Sequence, residues 1–158
     1  MPRPSHCFPG DDLDGYTEIY PESPLLRAHW DSEVLDTSGV PSHRILRVTD
    51  PFDVRFRIEL GGPAWRCMGG DWVFDVRFDE QGGPADFKLS SKLPAGVLTV
   101  KDWKGCEKHC VELLVTVPAG IIQASVYQIT STFQLYCCGK PGVIVGFEPL
   151  KEFQWYVP

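Results

Sequence analysis

Val126-Tyr-Gln-Ile-Thr-Ser-Thr-Phe-Gln-Leu-Tyr-Cys-Cys138 is the stretch whose reading decides the fold class. It is dense in β-branched and aromatic residues, which suit a pleated, half-buried surface. Side chains alternate along a strand, so Tyr127, Ile129, Phe133, Leu135 and Cys137 share one side. Gln128, Thr130, Thr132, Gln134 and Tyr136 share the other. The first side is a core face. The second can hydrogen-bond throughout, yet it carries no charge, and the uncharged character extends over the whole of Leu113 to Gly139. Small residues at Ser131-Thr132 interrupt the apolar face, and a bend or a change of sheet is expected there.

Working outward, the same period recurs. Asp53 to Leu60 sets Val54, Phe56, Ile58 and Leu60 inward against Arg55, Arg57 and Glu59, the pattern of a half-exposed antiparallel strand. Trp72 to Phe78 does likewise, with Asp75 and Arg77 outward. Arg44–Thr49, Val111–Val117, Val143–Phe147 and Glu152–Val157 read as further strands; Asp86–Ser91 and Gly96–Trp103 are fainter ones. Gly61-Gly62-Pro63, Gln81-Gly82-Gly83-Pro84, Pro118-Ala119-Gly120 and Gly139-Lys140-Pro141-Gly142 supply the turns between them. No segment sustains a helical period. The expectation is an all-β antiparallel sandwich of about seven to nine strands.

Residues 1–43 differ from residues 44–158. The first part holds eight acidic and two basic residues; the second holds thirteen of each. Pro2, Pro4, Pro9, Pro21 and Pro24 break any regular element. This part reads as an irregular acidic arm, partly docked through Tyr16, Ile19, Tyr20, Leu25, Leu26 and Trp30, with a helical turn around Pro24 to Trp30. The β-sandwich domain is expected over 44–158.

Tyr136-Cys137-Cys138 resembles the Tyr-x-Cys of the immunoglobulin-like sandwich, and the resemblance implies that topology. The second cysteine of that pattern has no counterpart: Cys67 lies in the Gly/Pro-rich stretch Gly61 to Gly70, not mid-strand before a core tryptophan.

The totals exclude several functions. A charge-balanced body with an acidic arm, −6 overall, argues against a broad electrostatic patch for nucleic acid or an anionic membrane. No apolar run is long enough to span a bilayer as a helix, and the N-terminus has no apolar core of a signal peptide. A cytoplasmic location follows, in which the six cysteines default to thiols. The chain has no asparagine and hence no N-glycosylation acceptor.

Chemistry is sparsely signalled. Cys106-Glu107-Lys108-His109-Cys110 offers two thiols and an imidazole, donors that zinc or copper(I) prefers. Their C-x₃-C spacing is not a zinc knuckle, and a Cys106–Cys110 disulfide is the other sharp reading. No nucleophile elbow is present; Cys137 or Cys138 with His43 or His109 is the remaining nucleophilic combination, so no catalytic residue is assigned. Arg55, Arg57 and Arg77, with Glu59 and Asp75 beside them, read as a cross-strand charge ladder on neighbouring strands.

That leaves the row Gln128, Thr130, Thr132, Gln134, Tyr136, about 27 Å long at a rise of roughly 3.3 Å per residue. Exposed sheets usually carry charges that discourage association, and charge depletion with aromatic enrichment is the composition of interface cores. The row is expected to be covered: by a protein partner or a second copy, by the arm or a crossing strand of the same chain, or by a ligand. The functional expectation is a non-catalytic binding or self-assembly module without cofactor. The alternative is a small enzyme or carrier with a cavity lined by Trp65, Trp72, Trp103 and Trp155, and a thiol metal protein is the third reading.

Overall fold

A computed structural model describes residues 7–8, 13–19, 25–36 and 44–158. Two sheets face each other across one core. The strands are β1 (Tyr16–Ile19), β2 (Arg27–Leu35), β3 (Ile45–Arg47), β4 (Phe52–Gly61), β5 (Gly69–Glu80), β6 (Asp86–Lys88), β7 (Thr99–Lys104), β8 (Cys110–Val117), β9 (Ser125–Cys137) and β10 (Lys140–Tyr156). Seven form one sheet in the order β1-β10-β9-β5-β6, with β3 added to β10 and β7 to β5; β2-β4-β8 form the other. All pairings are antiparallel except the short β3–β10 ladder. The helical segments among the described residues are two short 3₁₀ turns, Pro63–Cys67 and Leu89–Ser91.

The core is the set of inward residues that alternation names. Val54, Phe56, Ile58, Leu60, Trp72, Phe74, Val76, Phe78, Tyr127, Ile129, Phe133 and Leu135 are all buried. Aromatic rings bridge the sheets: Trp30 meets Phe133 edge-on at 4.8 Å, Phe56 stacks on Phe74 at 4.7 Å, and Phe52 meets Trp155 at 5.4 Å. Such pairs add roughly 0.5–1.5 kcal/mol each beyond the area they bury. Gly146 makes room for this packing, since a Cβ there would lie 2.3 Å from the Phe133 ring and 2.8 Å from Trp30 Nε1.

Four expectations are corrected. No helical turn spans Pro24 to Trp30 within the described residues; Arg27–Leu35 is a full strand, because Ala28, Trp30, Ser32 and Val34 alternate inward. The long strand does not change sheets at Ser131-Thr132. Strand β9 pairs with β5 without a register shift from Tyr127 to Tyr136. The shifts fall instead in β10, between Pro141 and Val145 and between Pro149 and Lys151, since proline cannot donate to a ladder and settles at bulges. Val143–Phe147 and Glu152–Val157, expected as separate strands, are parts of that one bulged strand. Its hairpin with β9 turns on Cys138 and Gly139, both at positive φ (56° and 76°), the backbone of a tight two-residue turn. Finally, β4 and β5 lie in different sheets, so Arg55 and Arg57 share no ladder with Arg77.

Candidate functional site

The neutral row lies on the outer face of the seven-stranded sheet. Gln128 and Thr132 are exposed, while Thr130, Gln134 and Tyr136 are partly shielded by their neighbours. The part of the N-terminal segment nearest this sheet pairs at its edge as β1. Register builds the surroundings. Thr132 stands between Asp75 of β5 and Phe147 of β10, and Gln134 between Val73 and Val145. Tyr16 of β1 pairs with Phe147, their rings 4.9 Å apart. Tyr16, Val143, Val145 and Phe147 are all exposed, so an apolar strip on two strands adjoins the uncharged row on a third. Asp71, Asp75, Arg77 and Asp79 on β5 bound the row on its other side.

Val143, Val145 and Phe147 escaped sequence reasoning because alternation alone leaves an apolar run such as Val143-Ile144-Val145 without a preferred side. Tyr16 escaped it because β1 has only four residues.

The outer face of the three-stranded sheet is built differently. Arg57 donates to both oxygens of Asp31 at 2.9 and 2.6 Å, and both side chains are buried. The Phe8 ring sits 5.1 Å from the Arg57 guanidinium, a cation–π contact. Arg55 pairs with Glu33 at 2.5 Å. Asp31 and Glu33, the acids that meet these two arginines, come from β2, within the segment read as an arm.

A disulfide joins Cys7 to Cys110, with Cα atoms 5.8 Å apart. The expectation of six thiols is corrected for this pair, because the fold brings two cysteines 103 residues apart within bonding reach. Cys67, Cys106, Cys137 and Cys138 are free and exposed, so the Cys106–Cys110 bridge is not formed. Of the proposed ligands Cys106, His109 and Cys110, the last two converge, and Cys7 stands where Cys106 was expected. The ligating atoms of Cys7, His109 and Cys110 lie within 4.8 Å of one another. The imidazole rests against Trp65 at 5.1 Å between ring centres, and the His109 carbonyl accepts from Leu60 N–H at 2.9 Å.

Between the sheets lies a polar group that no motif announced. Glu148, aimed inward beside the Pro149–Lys151 bulge, accepts from Ser32 N–H at 3.1 Å and from Ser32 Oγ at 3.0 Å. Ser32 Oγ in turn meets Ser131 Oγ. The other carboxylate oxygen, Oε2, is buried without a partner. Burial pushes the Glu148 carboxyl up to about 7, against the pull of the two Ser32 hydrogen bonds, and the negative charges of Asp14 and Asp31 add to the rise. The small Ser131 that suggested a bend is what admits this contact.

The chain matches no protein-family model, and no curated protein matches it by sequence. Among solved structures it is similar to the soluble domain of PmoD from Methylocystis sp. ATCC 49242 (Rockwell), with 12% identity, 84% of this chain and 97% of that one covered, and a TM-score of 0.31. At that identity and score the likeness carries no inference about function.

The remaining expectations can be placed. Trp72, Trp103 and Trp155 are buried and packed edge-on or tilted against Phe133, Phe78 and Tyr127 or against one another, so these rings fill the space between the sheets. Trp65 lies apart, against His109. Cys137 Sγ donates to the Gly69 carbonyl at 3.1 Å, and His43 lies outside the described residues. No helix among the described residues is long and apolar enough to cross a membrane.

Proposed function

We propose that this chain is a non-catalytic protein-binding or self-assembly module, and that its contact surface is the outer face of the seven-stranded sheet. One observation carries the reading. The exposed apolar strip Tyr16, Val143, Val145 and Phe147 runs beside the uncharged Thr132 and Gln134. Contiguous exposed apolar surface rimmed by charge marks protein contact sites. Close packing on this face would supply the affinity. The tryptophans expected to line a carrier's cavity are for the most part engaged in core packing, which favours the module over the carrier.

The test is sedimentation of the full chain across concentration, with and without Thr130→Lys, Thr132→Lys and Gln134→Glu. Association that these charges abolish, with an unchanged circular dichroism spectrum, supports self-assembly. A monomer before and after, with no partner retained by the wild-type face that the charged variant loses, removes the reading. Location bears on the cysteines and not on this face: a reducing cytoplasm, the expected compartment, would hold Cys7 and Cys110 as thiols.

A further inference from the structure

We propose that Cys7, His109 and Cys110 form a redox-gated site for one thiophilic metal ion, copper(I) or zinc, so that a disulfide and a metal are alternative clamps holding the N-terminal segment to β8. The site lies on the three-stranded sheet and stands independently of the binding face proposed above.

The donor set is the first support. Two thiolates and a neutral imidazole suit copper(I) and zinc and suit hard oxygen-seeking ions poorly. Geometry is the second. The three ligand atoms already lie within 4.8 Å of one another. Around one ion with metal–sulfur bonds near 2.3 Å they would stand about 3.5–3.8 Å apart, a small adjustment once the sulfurs are no longer bonded to each other. The third support is the framework. Cys110 opens β8 and pairs with Glu59, the His109 carbonyl is tied to Leu60, and Trp65 packs against the imidazole. Two of the three donors are thus held by the body of the fold. Gly105 permits that packing, since a Cβ there would fall 1.7 Å from the Trp65 carbonyl oxygen. Cys106 stays outside the cluster, exposed.

The cycle balances simply. Two small-molecule thiols deliver two electrons and two protons to the Cys7–Cys110 bond and leave as their own disulfide. The two cysteine thiols then release their protons to solvent as they bind the ion as thiolates, and the neutral imidazole adds its lone pair. Exchange with a small-molecule disulfide runs the sequence backwards and expels the ion. In either state residue 7 is fastened to β8, and Phe8 stays over the Arg57–Asp31 pair.

The experiment uses the full chain, reduced with a phosphine, freed of the reductant under anaerobic conditions, and titrated with zinc alone and with copper(I) alone against a chromophoric chelator. The reduced protein should take up one equivalent of at least one of the two ions, and the oxidised protein none. Cys7→Ser and Cys110→Ser should each weaken binding by about 100-fold or more and His109→Ala by at least about 10-fold, while Cys106→Ser should change it less than about 3-fold. Alkylation of the wild type gives a readout that needs no variant: bound metal should protect Cys7 and Cys110 while Cys67, Cys106, Cys137 and Cys138 react. Uptake by the reduced wild type no tighter than by Cys7→Ser overturns the proposal, as does protection of Cys106 in place of Cys7.

Discussion

The two outer faces of this sandwich invert the usual link between charge and exposure. On the three-stranded sheet the outward positions carry Arg55, Arg57, Asp31 and Glu33, and the central pair is buried beneath Cys7-Phe8. On the seven-stranded sheet the row centred on Thr132 and the apolar strip beside it carry no charge, and Thr132 and the strip are exposed. Outward charge is compatible with burial when the partner charge arrives on the next strand in bidentate geometry. Outward neutrality leaves apolar side chains at the surface with no charge among them. The first face is completed within the chain; the second keeps Tyr16, Val143, Val145 and Phe147 exposed.

This contrast can be broken at graded cost. The largest effect is expected at Arg57. Arg57→Met leaves the Asp31 carboxylate buried without its guanidinium, and the chain should lose about 3–5 kcal/mol of unfolding free energy in denaturant melts. Adding Asp31→Leu should restore most of it, because the cost lies in the orphaned charge. A loss below about 1 kcal/mol would mean that water reaches this face.

An intermediate effect is expected between the faces, at Glu148. Its carboxyl titrates near 7 in the folded chain against 4.5 ordinarily, so the folded state favours the protonated form. The associated stability is fully present below about pH 4.5 and is lost as pH rises through about 7. Because the side chain is only partly buried, the change is on the order of 1–2 kcal/mol. Denaturant midpoints at pH 5 and pH 8 should differ accordingly in the wild type, and Glu148→Gln should flatten that difference.

The smallest effect is expected on the face of the seven-stranded sheet. Arg77 and Asp79 meet at 2.9 Å with both side chains exposed, and Arg77→Ala should move stability by no more than about 0.5 kcal/mol. If Arg77→Ala proved as costly as Arg57→Met, the two faces would not differ in the way described.

Much of the fold is legible in the sequence. The inward sets of β4, β5 and β9 follow from alternation, and the charged strands were correctly aimed outward. The candidate sites were legible only in part. The row Gln128 to Tyr136 was readable on β9 itself, whereas Tyr16, Val143, Val145 and Phe147 joined it only through strand register. His109 and Cys110 were visible as donors. Cys7 was not, because nothing near it in sequence marks it as the neighbour of Cys110.

The chain by itself determined which residues share a side, because the two-residue period of an extended backbone is set by local covalent geometry. Tertiary structure alone decided which sheet each strand joined, and hence that Asp31 meets Arg57 and Ser32 meets Glu148 across 116 residues. It also decided that Cys7 and Phe8 settle on the charged face, through the Cys110 disulfide and the Arg57 guanidinium. Those outcomes depend on contacts between segments far apart in sequence, whose pairing no local periodicity encodes.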